Sequence, residues 1–150
     1  MKTTQSLVKY IKWLSAEEMH ADSVNWLSEL NFTKDEHLFF EHLITSFTME
    51  LLELKYFASD KEIVDAINRS EKQNDLLLAS VTAHEQQLKI MVDEIDELKE
   101  EETYKETHRK LTIEIHQFLE DYRMLKAQLF DIIKGIKKEQ KQRYLLDKNH

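Results

Sequence analysis

Between Met19 and Leu54 the chain advances by alternating steps of four and three: Met19, Ser23, Trp26, Leu30, Thr33, His37, Phe40, Ile44, Phe47, Leu51 and Leu54. Most of these positions are apolar, and the exceptions are small or histidine. A spacing of about 3.5 residues is that of a helix packed lengthwise against other helices. No glycine or proline interrupts the run. It predicts a central helix against which the later segments fold back.

Two further seams follow, each out of phase with the one before. The second is Ile63, Ile67, Ser70, Asn74, Leu77, Val81, His84, Leu88, Met91, Ile95 and Leu98. The third is Tyr104, His108, Leu111, Ile115, Phe118, Tyr122, Leu125, Leu129, Ile132 and Ile136. Capping-box sequences mark where helices can start: Ser15 with Glu18, Thr33 with Glu36, Ser59 with Glu62 and Thr103 with Glu106. The phase slips place turns near residues 58–59 and 100–102. The expected fold is all-α: a single domain over 1–150, built as an elongated antiparallel up-down bundle. Its three long helices cover about 16–57, 60–99 and 103–146, each roughly 60 Å long. Residues 1–14 form a short amphipathic N-terminal helix in this reading. The box at Thr33 offers an alternative, a four-helix bundle with a break near residues 31–33. The unbroken seam through Leu30, Thr33 and His37 favours a continuous helix.

Composition agrees with helices throughout. The chain has one Gly, no Pro and no Cys, and 33% of its residues are charged. Tight turns and hairpins usually need Gly, Pro or Asn-Gly steps. The absence of cysteine removes disulfides, thiol nucleophiles and thiolate metal sites. A formal charge of -8 argues against nucleic acid as a partner. No stretch approaches the ~20 apolar residues of a membrane span, and residues 1–14 lack a signal-peptide pattern. A cytoplasmic protein is expected. Membrane-surface contact by residues 1–14 is disfavoured, because Lys2, Lys9 and Lys12 supply few cations. Charge is also uneven: Asp93 to Glu106 is acidic and Lys134 to Lys148 is basic.

Seven histidines are the main candidate chemistry. Counting from turns near 59 and 101 brings His37 opposite His84, and His84 opposite His116. Glu41 and Glu120 stand one turn beyond His37 and His116. Histidine and carboxylate on facing helices are how bundles hold metals. The candidate metal ligands are therefore His37, His84, His116, Glu41 and Glu120, with iron, zinc or copper as the metal. The fragment Asp35-Glu36-His37-Leu38-Phe39-Phe40 resembles the first iron-ligand helix of hemerythrin-like proteins, and His116 with Asp121 resembles that family's last-helix spacing. The likeness is confined to these fragments: Leu88 stands where a paired ligand would follow His84. A ferritin-like Glu-x-x-His is missing too, since Val81 precedes His84 by three. Neither family is assigned.

The leading expectation is a non-enzymatic, coiled-coil-like bundle that needs no cofactor. It works through protein–protein contact, as a homodimer or other homo-oligomer. Broad apolar arcs on the first and third helices, including Leu38, Phe39 and Phe130, exceed what two neighbours would cover. The alternative is the metal-binding bundle.

Overall fold

The structure, a computed structural model, describes residues 15–51, 57–93 and 98–148. The N-terminal segment 1–14, with its expected helix and membrane contact, lies outside the described residues. Those described are helical almost throughout: α1 (Ala16–Ser46), α2 (Thr48–Leu51), α3 (Phe57–Asp93) and α4 (Leu98–Lys148). The fold is an all-α helical bundle. No described helix is long and apolar enough to cross a membrane.

α1 starts where its capping box lies. The Glu18 backbone N–H donates to Ser15 Oγ at 3.2 Å, and the Ser15 hydroxyl donates to the Glu18 carboxylate at 3.1 Å. The helix then runs straight through residues 31–33, so the four-helix alternative with a break there does not hold. The Thr33 hydroxyl bonds back to the Glu29 carbonyl at 2.9 Å. A hydroxyl that finds a partner inside its own helix has no need to cap a new one.

The first helix nevertheless ends earlier than expected, at Ser46 rather than near residue 57. Three hydroxyls crowd this point. Thr45 donates to the Glu41 carbonyl, Ser46 to the His42 carbonyl and Thr48 to the Ile44 carbonyl, at 2.8, 2.9 and 3.1 Å. Such back-bonding competes with the backbone ladder and bends helices. The Phe47 N–H is shared between the Leu43 and Ile44 carbonyls at 3.2 Å each. The single turn of α2 follows.

Helix directions follow from the side chains that meet. His20, Leu30 and His37 of α1 touch Glu85, Asn74 and Ser70 of α3 in descending order, so these helices are antiparallel. α4 returns alongside α1: Asp22 meets His108, Glu36 meets Tyr122 and Glu50 meets Gln140. The chain therefore runs up, down and up, as the seams imply.

The two turns were misplaced. α3 already starts at Phe57 and α4 at Leu98, so the boxes at Ser59 and Thr103 sit inside helices. A capping box contributes about 1 kcal/mol locally, and packing of a whole apolar stripe overrides it. The shift moves every facing pair by roughly three turns of helix.

The seams form the core in three clusters, except that Ile133 and not the expected Ile132 is buried on the third. Leu30, Leu77, Val81, Leu111, Ile115 and Phe118 fill the middle. Met19, Leu88 and Tyr104 pack at one end. Phe40, Ile67, Tyr122, Leu129 and Ile133 pack at the other. Asn74 is a polar layer, its side-chain amide donating to the Leu30 carbonyl at 3.0 Å.

α4 also runs unbroken past Gly135, where an added Cβ would meet nothing within 4 Å. Glycine in a helix interior costs about 0.5–1 kcal/mol relative to alanine. Gly135→Ala should therefore raise the denaturation free energy by about that amount. A chemical-denaturation midpoint that stays put or falls would show that α4 is not helical there.

Candidate functional site

Buried Ser23, His84, Glu85 and His108 form a polar layer near the Met19 end to which all three long helices contribute. His108 of α4 is fully buried and central. Its Nε2 lies 2.9 Å from Asp22 Oδ2 of α1, and its Nδ1 lies 2.9 Å from His84 Nε2 of α3. Asp22 as a carboxylate can only accept, so His108 carries its proton on Nε2. His108 Nδ1 is then the acceptor, and His84 Nε2–H donates to it. One chain of donors thus links α3 to α4 to α1.

Aromatic rings enclose this chain. Tyr104 stacks on His84, with centroids 4.0 Å apart and planes 3° from parallel. Trp26 covers His108 at 4.7 Å. His20 of α1 pairs with the Glu85 carboxylate of α3 beside them. The other Glu85 oxygen, the Ser23 hydroxyl and the Tyr104 hydroxyl are buried without a hydrogen-bond partner. Burial raises the Tyr104 phenol above its ordinary pKa; the Glu85 charge adds to this and the nearby Ser23 hydroxyl opposes it.

Both imidazoles are held neutral at pH 7. Burial lowers His84 to about 4, with the neighbouring His108 adding to the shift. Burial also lowers His108, against the raising effect of its hydrogen bond to Asp22 and the charges of Asp22 and Glu85. Desolvation penalises the charged ring, and here it exceeds the pull of the carboxylates.

A groove of about 770 Å³ opens between α3 and α4 over this layer. His84, Tyr104, Ser80, Gln87, Thr107 and Lys110 are among its lining residues. It gives solvent a route to His84.

The sequence-derived ligand set is placed differently. His84 faces His108, not His37 or His116. His37 is buried two layers away, where its Nε2 lies 3.0 Å from Ser70 Oγ and its Nδ1 donates to the Thr33 carbonyl at 2.8 Å. Burial lowers its pKa, opposed by that carbonyl bond and by Glu71, Asp75 and Glu36. His116 pairs with Glu120 on its own helix at 3.4 Å, half-exposed. Glu41 is exposed, and its backbone carbonyl accepts from the Thr45 hydroxyl. Among the described residues, no group of three or more histidine or carboxylate side chains is arranged to hold a metal ion.

Sequence reasoning missed Asp22, His20, Glu85 and Tyr104. His108 was visible on the third seam, and pairing seam histidines directly would have matched it to His84. Counting from the misplaced turn selected His116 instead. No known protein family, curated protein or solved structure matches the chain.

Proposed function

We propose that this protein is a non-enzymatic helical-bundle module that works through protein–protein contact, and that a second copy of the chain is its first partner. The carrying observation is the outer face of α1. Phe32 and Phe39 are 63% and 55% exposed, and Val24 and Leu38 are about as open. Phe32 and Phe39 stand seven residues apart, so they share a face. Met19, Leu30, His37 and Phe40 hold the opposite face to the core. Large aromatics repeated along one solvent face are costly alone and mark contact surfaces.

The spacing suits self-association. In an antiparallel pairing centred near Asp35, Phe32 of one copy packs on Phe39 of the other, twice over. A two-fold interface requires such a self-complementary patch. The formal charge of -8 opposes the approach of two copies, so association should strengthen with salt.

Light scattering or sedimentation of the full chain at tens of micromolar should give a dimer. Phe32→Glu combined with Phe39→Glu should give a folded monomer, with dimer affinity reduced by a hundredfold or more, since central aromatics dominate such contacts. A wild-type monomer would overturn the reading. So would a dimer indifferent to both substitutions. Deleting residues 1–14 separates the remaining occupant of this face: a dimer that forms only after deletion would mean that this segment covers it in the intact chain.

A further inference from the structure

We infer that the Asp22–His108–His84 layer is a proton-operated latch, closed when the two imidazoles share one bridging proton and opened when each carries its own. This is independent of the partner proposed for α1. The geometry carries it. His84 and His108 face each other nitrogen to nitrogen at 2.9 Å, and one proton fits between them. In the neutral state that proton sits on His84 Nε2, because His108 Nε2–H is committed to Asp22. His84 Nδ1 is left as the bare nitrogen and accepts the incoming proton from water in the groove.

The first added proton costs less than the second. It enters at His84 Nδ1, and the bridging proton moves to His108 Nδ1. His108 is then an imidazolium hydrogen-bonded to the Asp22 carboxylate, and His84 is neutral with Nε2 as acceptor. A second added proton leaves no acceptor between the rings. Two N–H groups would face each other on two buried cations, with one carboxylate to balance them. The contact joining α3 to α4 must then part.

The charged and titratable groups around the dyad are known from each helix. α1 supplies His20 and Asp22, α3 supplies Glu85, and α4 supplies Tyr104, with Lys110 and Glu114 lining the groove beside His84. Glu85 is occupied by His20 through one oxygen. Tyr104 stays a neutral phenol, because burial raises its pKa. Asp22 is therefore the counter-charge in direct hydrogen-bond contact with the dyad. Opening is confined to this end. His37 is the other buried histidine and packs on Tyr122, its ring bonded to Ser70 and Thr33; beyond it Phe40, Ile67, Leu129 and Ile133 form an apolar cluster.

Hydrogen exchange on the full chain tests the latch, read as protection factors so that the intrinsic pH dependence cancels. For a one-proton difference between the open and closed layer, protection over residues 84–88 and 104–111 should fall about thirtyfold between pH 7.5 and 5.0. Residues 129–136, beyond the ring contact of His37 with Tyr122, should change little. His84→Gln keeps a donor toward His108 and cannot take up the proton, so its protection should be nearly flat with pH. If that variant does not fold, Asp22→Asn decides: losing the counter-charge to the first proton should move opening to higher pH. Equal loss of protection at both ends would overturn the latch. So would an unchanged pH response in His84→Gln or Asp22→Asn.

Discussion

Phe40→Ala should lower the stability of the bundle by about 3–5 kcal/mol in urea or guanidinium unfolding. Phe40 is completely buried. It packs with Ile67 of α3 and with Tyr122, Leu129 and Ile133 of α4. Its ring meets the edge of Phe130 at 5.5 Å and lies 6.3 Å from Tyr122. Truncation therefore removes contacts to both neighbouring helices at once. The surrounding side chains sit on stiff helices and cannot collapse fully into the void, so a cavity cost adds to the lost transfer energy. The same region is tied by Tyr122, which donates to Glu36 at 2.8 Å, and by Lys126, which reaches the same carboxylate at 3.1 Å. A loss under ~1.5 kcal/mol would show that α1 does not pack on α3 and α4 in this register.

Acid should destabilise the fold well before the carboxylates titrate. The sign follows from His84, whose pKa is lowered from 6.5 to about 4 by burial. The unfolded chain binds the proton more readily than the folded one. Stability from this residue is complete above pH ~6.5 and is lost as pH falls toward ~4. At pH 5 the loss from His84 alone is about 2 kcal/mol. His108 and His37 are lowered as well and add to it in the same direction. Denaturation curves between pH 7.5 and 5 should shift steadily toward lower denaturant, and His84→Gln should remove much of the shift. Equal stability at pH 7 and pH 5 would mean that these rings are already solvated in the folded protein. This global loss and the local latch are separable. The first is read at the denaturation midpoint, the second in native exchange at one end.

Much of the architecture was legible from the residues in order. The spacing of Met19, Leu30, His37 and Phe40 identified the inward face of α1, and all four are buried. Tyr104, His108, Leu111, Ile115, Phe118, Tyr122 and Leu129 did the same for α4. Ser15 and Glu18 marked the start of α1. Helical period and caps are local properties, expressed within a few turns, so a single chain displays them without reference to its neighbours.

The pairing of those faces was not legible. Which residue of one helix lies beside which residue of the next depends on where the chain reverses. Ser59 and Thr103 are good caps in isolation, yet both lie inside helices because a long apolar stripe outweighs one cap. A shift of a few residues in each turn replaced His37 and His116 with His108 as the neighbour of His84. It also brought in Asp22 from α1 and Glu85 from α3. Helical period and helix starts were determined by the sequence alone, because each arises from residues within a few turns of one another. Helix register and the histidine layer were decided by the tertiary structure, because they come from balancing every stripe against every other at once.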